Sequence, residues 1–109
     1  MLHVRSLHYA DNHPFLYEDR WVNISAVESV REANFETVDA NEWLVQNAPF
    51  TRGDISFSAA NATDQEAELL EAAIGTAIFV IDRTTWNGKI PVTLVRLAYA
   101  PGYRMHTEL

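Results

Sequence analysis

The stretch that decides the fold is TTWNGKIPVTLVR, Thr84 to Arg96. It reads as the tip and return of a β-hairpin. Asn87-Gly88 is the strongest short hairpin signal in the chain, because both residues accept positive φ at little cost. Pro91 stands near the start of the returning strand. Nearly the same grammar appears in HYADNHPFLYEDR, His8 to Arg20. In both segments an aromatic residue, Tyr9 or Trp86, stands five residues before a proline, Pro14 or Pro91. A polar turn lies between them, and an apolar run after the proline reaches an arginine. Two such segments imply a duplicated building block.

Working outward, LHVRSLHYA and PFLYEDRWV flank the turn composition DNH and form a first hairpin. Three helix starts follow. Ser25 with Glu28 has the spacing of a capping box, Asp39 with Glu42 a related spacing, and Thr63 with Glu66 opens TDQEAELLEAAIG. In the third, Ala67, Leu70 and Ile74 recur at helical spacing and Gly75 suits the C-terminal stop. Pro49 ends the second helix. DISFSAAN reads as a strand before the third. AIFVIDRTTW and IPVTLVRLAYA form a second hairpin around NGK. Pro101 to Tyr103 bends the chain, and YRMHTEL is expected as a last strand. Hairpin, two short helices, strand, helix, hairpin is an α+β order. It predicts an antiparallel sheet with helices packed on one face.

The second hairpin follows a strand and a long helix; the first follows nothing, since it begins at residue 2. If the fold is two copies of strand–helix–hairpin, the N-terminal strand and helix of the first copy are missing. Residues 1–109 are therefore expected to be a single, partial domain, completed elsewhere.

Composition narrows the function. With 109 residues the chain suits one modest core. It has no cysteine, so disulfide and thiolate chemistry are excluded and a reducing, cytoplasmic setting is expected. No apolar run approaches the length of a membrane span, and no signal peptide precedes the first strand. The formal charge of −7 repels a duplex, so this segment is not expected to touch DNA itself.

HYADNHPFLYEDRWVN, APFTRGDISFSAANATDQEAELL and RTTWNGKIPVTLVRLAYAPGYR together resemble the effector-binding UTRA domain of GntR-family transcriptional regulators, which has the chorismate-lyase fold. The likeness runs over essentially all 109 residues. Within that family it is greatest to the histidine-utilisation repressors. These carry a similar EDRYVN-like string, an RTW before the turn, a PVT..RL after it and a PG..YR near the end. The resemblance implies the C-terminal part of a repressor, a homodimer whose DNA-binding winged helix-turn-helix is absent here. It implies no cofactor and no catalysis. The effector it implies is urocanate or a close analogue, with a carboxylate at one end and an imidazole at the other.

Such a ligand needs a cationic or multi-N–H partner for the carboxylate and a partner matched to the ring nitrogens. Ser6 and His8 share a face of the first strand. They match positions where sugar-phosphate-responsive relatives carry Arg-x-Arg, which argues against a phosphate-bearing effector. Glu18 matches a family glutamate that faces the ligand, and it can accept an imidazole N–H. With the two prolines aligned, Arg83 is equivalent to Ser6, and Thr85 to His8. Arg83, with its planar fork, is the preferred carboxylate partner, and Arg96 is the substitute. Ser58 matches a position where relatives contact ligand, and Tyr103 can stack or hydrogen-bond from the expected last strand. Each of these residues also has a purely structural reading, as a solvated sheet position, a surface ion pair or a packed aromatic.

Other chemistries find less support. His3, His8, His13 and His106 lack the spacing of a metal site. No nucleophile-elbow motif or phosphate-cradling glycine loop is present. A chorismate-lyase-like enzyme and a ligand-free dimerisation module remain the alternatives on the same fold.

Overall fold

The computed structural model describes residues 1–109. The chain runs β1 (Leu2–Ala10), β2 (His13–Val22), a 3-10 turn (Glu28–Glu32), α1 (Ala40–Asn47), β3 (Arg52–Asn61), α2 (Asp64–Leu69), β4 (Ala77–Asn87) and β5 (Ile90–Tyr99). The five strands form one antiparallel sheet in the order β1-β2-β5-β4-β3.

Both hairpins form as expected. In the first, Asp11 and Asn12 both take positive φ, 51° and 63°. The primed turn that matches strand twist requires this. In the second, Gly88 alone has positive φ, 63°. Asn87 was expected in that turn; instead it is the last residue of β4, and the loop is Gly88-Lys89. Glycine at the first loop position is enough for a two-residue connection of this kind.

The repeat is geometrical as well as textual. β2 carries an extra residue, Phe15, opposite the His8–Tyr9 step of β1, and β5 carries one, Val92, opposite the Thr85–Trp86 step of β4. The offset between these sites is the same as that between Pro14 and Pro91. Each proline pairs with the aromatic beside its bulge, Tyr9↔Pro14 and Trp86↔Pro91. A residue without an N–H leaves the ladder short of a donor there, and the bulge absorbs the irregularity. At the sheet's centre Asp19 lies opposite Arg96, its own equivalent at that offset. A pseudo-twofold axis therefore passes between β2 and β5 and relates one hairpin to the other.

The helices divide between the two faces, where one shared face was expected. On one face Val22 and Val92 pack against Val27, Val30 and Leu44, from the 3-10 turn and α1. On the other, Tyr17, Ile78, Val80 and Ala98 pack against Ala67 and Leu70 of α2. The reason lies in the strands. Val80 and Ile81 are adjacent, so they point to opposite faces, and both are buried. A strand that is apolar on both sides needs cover on both.

Local expectations fared differently. Asp39 caps α1, its Oδ1 accepting from Glu42 N at 3.0 Å. Thr63 and Glu66 form the full reciprocal capping box. Ser25 does not cap a helix: its N–H donates to Asn23 Oδ1, and only a short 3-10 turn follows. Here Val27 and Val30 anchor the segment to the core, and its remaining residues stay on the surface. α2 ends at Leu69, short of the Gly75 stop. Glu71 takes φ 55°, and Ala72 N–H closes back onto Ala67 O. Beyond Leu70 the apolar stripe has no sheet left to cover, and Ile74 is 77% exposed.

Residues 103–109 form no strand. β5 already has β2 and β4 on either side, so a returning segment finds no free edge beside it. The turn at Pro101-Gly102 instead carries Tyr103 over the α1 face, where it stacks on Tyr99 at 4.0 Å between ring centroids.

Candidate functional site

Strand pairing preserves the face, so the register assigns every sheet residue to a side. Ser6 lies opposite Glu18, and His8 opposite Leu16. Arg20 and Arg83 both lie opposite Val95, on either side of it, and Thr85 lies opposite Thr93. Ser6, His8, Glu18, Arg20, Arg83 and Thr85 therefore share the α1 face. Tyr99 and Phe79 share it too, and Tyr103 stacks on both.

A charged array crosses this face. His8 Nε2 is 3.4 Å from Glu18 Oε2, which is 3.6 Å from Arg20 Nη2. Glu18 is 7% exposed and Arg20 2%. These distances are too long for good hydrogen bonds. His8 Nε2, Glu18 Oε2 and both Arg20 Nη atoms are buried and make no hydrogen bond. Burial pushes the Arg20 guanidinium below its ordinary pKa; the Glu18 charge opposes that shift, and the Arg83 charge adds to it. Native interiors pair nearly all such atoms, so this unpaired cluster stands out among the buried side chains of the sheet.

Beside it, under α1, is a cavity of about 340 Å³. Arg20 and Arg83 line it from the sheet, Asn41 and Leu44 from α1, and Phe50 and Ile55 from the connection and β3. Arg83 Nη2 donates to Asn41 Oδ1 at 2.9 Å, so the second guanidinium is held at the cavity by the helix. Thr85 Oγ1 and Thr93 Oγ1 are 2.6 Å apart on the same wall. Tyr99 is shifted above its ordinary pKa, first by burial and then by Tyr103 and the Glu18 charge.

Chemically this is a bipolar site. Two guanidinium groups suit a carboxylate. Glu18 with His8 suits a heteroatom that carries or accepts a proton. Leu44, Phe50 and Ile55 supply apolar wall.

Two candidates fall outside the cluster. Arg96 neighbours Val95 and so points to the α2 face, where its Nε and Nη2 donate to Glu66 Oε2 and Oε1 at 2.8 and 3.3 Å. Burial alone would raise the Glu66 pKa, but hydrogen bonds from Arg96 and Thr63 bring it below the ordinary value. The Arg96 pKa is raised, chiefly by its hydrogen bond to Glu66. Ser58 lies opposite Val80, also on the α2 face, on the edge strand. Conversely, sequence reasoning passed over Arg20, Asn41 and Tyr99. Arg20 had a signal, since it stands two residues after Glu18 on one strand and so shares its face. Asn41 had none, because only helix placement brings it to Arg83.

No group of three or more His, Asp and Glu side chains is arranged to hold a metal ion. No helix is long and apolar enough to cross a membrane.

Residues 1–104 match the family model for the UTRA domain. The chain is 32% identical over 108 residues to the histidine utilization repressor of Pseudomonas aeruginosa, covering 99% of this chain and 43% of that protein. It is 30% identical to the Klebsiella aerogenes histidine utilization repressor, covering 99% and 44%. The chain thus spans less than half the length of these curated relatives. The crystal structure of the C-terminal domain of the histidine utilization repressor from Pseudomonas syringae pv. tomato superposes with a TM-score of 0.87 at 30% identity, covering 98% of this chain and 77% of that one. A GntR-family transcriptional regulator from Enterococcus faecalis shares the fold, with a TM-score of 0.68 at 21% identity, covering 96% and 71%.

Proposed function

Because the chain belongs to the UTRA domain family, we propose that it is the effector-sensing part of a transcriptional repressor of histidine utilisation. Its ligand in this reading is urocanate or a close analogue. The observation that carries the proposal is the unpaired, buried array of His8, Glu18 and Arg20 beside a cavity that also presents Arg83. Arg83 and Arg20 receive the carboxylate. Glu18 and His8 meet the imidazole end, and Tyr99 and Tyr103 flank it. Ser6 and Thr85 border the site, while Ser58 and Arg96 stand outside it.

The proposed mechanism is a shift between states. A carboxylate that takes over the Arg83 guanidinium displaces its Asn41 partner, so α1 is held differently with and without ligand. Differential affinity for the two arrangements moves the equilibrium, and linkage makes operator binding respond in turn. DNA contact belongs to a separate domain in this proposal, in keeping with the charge of −7 here. The protein acts in the cytoplasm as a homodimer, matching paired operator half-sites.

Calorimetric titration with urocanate tests the reading: saturable binding supports it, and absence of heat across a millimolar range overturns it. The same carboxylate beside guanidinium groups would serve a chorismate-lyase-like enzyme, for which release of 4-hydroxybenzoate from chorismate is the deciding assay.

A further inference from the structure

We propose that Asn87-Gly88 is a deamidation site, and that Thr51 holds its reaction in check.

Asn87 is the only asparagine of the chain followed by glycine. The reaction is an attack by the next residue's backbone nitrogen on the asparagine Cγ, and a glycine puts no side chain in its way. Asn87 and Gly88 are both exposed, at the closed end of the β4–β5 hairpin, so water reaches them. The first hairpin carries no counterpart: at the same offset its residues are Ala10 and Asp11.

The chemistry needs only water. A base takes the proton of Gly88 N–H, and that nitrogen bonds to Asn87 Cγ. The Cγ–Nδ2 bond breaks, and Nδ2 leaves with a proton as ammonia. A cyclic imide remains. Water opens the ring at Cγ to give aspartate, or at the backbone carbonyl carbon to give isoaspartate. Overall, a side-chain amide and a water become a carboxylate and an ammonium ion, and nothing is oxidised or reduced.

The fold opposes the first step in two ways. The imide ring is close to planar, so closing it rotates Asn87 ψ out of the β region, where strand pairing with Ile90 holds it. Gly88 N–H also donates to Thr51 Oγ1 at 2.9 Å. The attacking nitrogen must give up that hydrogen bond before it can turn toward Cγ. Thr51 is itself pinned: its N–H donates to Trp86 O at 2.7 Å, and its hydroxyl reaches the same carbonyl at 3.3 Å. One threonine, just before β3, thus ties down the residues on both sides of Asn87.

Conversion to isoaspartate adds a main-chain carbon and a negative charge between the two residues that Thr51 holds. Thr51 follows Phe50, which lines the cavity, so the lesion lies beside the connection that carries part of the cavity wall.

Peptide mapping by mass spectrometry tests the site on the 109-residue chain, incubated in mildly alkaline buffer with and without urea. In urea, wild type and Thr51→Val are expected to form isoaspartate at position 87 at the same rate. In native buffer, wild type is expected to convert at least about tenfold more slowly than in urea, because the strand end must open first. Thr51→Val, folded by circular dichroism, is expected to convert about two- to tenfold faster than native wild type, the effect of losing one hydrogen bond. Thr51→Ser keeps the hydroxyl and is expected to match wild type. No isoaspartate at position 87 in urea overturns the site. Native wild type that converts as fast as in urea, or folded Thr51→Val that converts no faster than wild type, overturns the role of Thr51.

Discussion

Arg83 and Asn41 are joined across the cavity by a 2.9 Å hydrogen bond from the sheet to α1. The guanidinium is thus held at the cavity by a partner on α1. Arg96, its alternative in the sequence, is locked to Glu66 on the other face.

This contrast makes the first prediction. Arg83→Ala is expected to weaken urocanate binding by about 10- to 100-fold, the effect of losing a hydrogen bond to a charged group. Arg96→Ala is expected to leave affinity within about twofold while lowering stability, since it touches only the α2 face. Calorimetry on both variants decides; equal losses would remove the face assignment.

Glu18 is the anion nearest a buried guanidinium. Glu18→Gln is expected to destabilise the fold by about 3–5 kcal/mol, because it leaves Arg20 charged, buried and unpartnered. Glu18→Gln with Arg20→Met removes both charges and is expected to recover much of that loss. Urea midpoints measure the difference, and a double variant weaker than the single one would contradict the pairing.

Glu66 has a pKa below its ordinary value of 4.5. A depressed carboxyl stabilises the fold above its unfolded pKa, and that contribution is lost as pH falls through the folded value. Wild type is therefore expected to exceed Glu66→Gln in stability at pH 7, with the gap closing below about pH 4 as the carboxyl protonates. Parallel urea titrations at the two pH values test the sign. Glutamine preserves the acceptor for Thr63 N, so the capping bond does not confuse the result.

Glu71 holds φ 55° at the end of α2. Left-handed backbone is unfavourable for a residue with a Cβ, so Glu71→Gly is expected to raise stability by about 0.5–1 kcal/mol. Gly88→Ala, at φ 63°, is expected to move the thermal midpoint the other way.

The hairpins were readable because their signals are local. Asp11-Asn12, Gly88, Pro14 and Pro91 set backbone angles or remove a donor wherever they occur. Asp39 and the Thr63–Glu66 box were readable for the same reason, since a cap needs only the next three residues. Ser25 shows the limit. Its spacing was correct, but Asn23 took its N–H first, and the core claimed Val27 and Val30 without extending a helix. The end of α2 shows another: the apolar period continues to Ile74, but the sheet beneath it does not.

By itself, then, the sequence determined the antiparallel ribbons, the duplicated unit and the pairing of Ser6 with Arg83 as equivalents, because a period of two and a fixed offset are properties of the chain. Only the tertiary structure decided which arginine reaches the cavity. The hairpin register puts Arg83 and Arg96 on opposite faces, but which face holds the cavity is set by the packing of α1 on one side and α2 on the other, and no local signal specifies that. It also decided that α1 and α2 lie on opposite sides, because side-chain burial on both faces of β4 is satisfied only once the whole sheet exists.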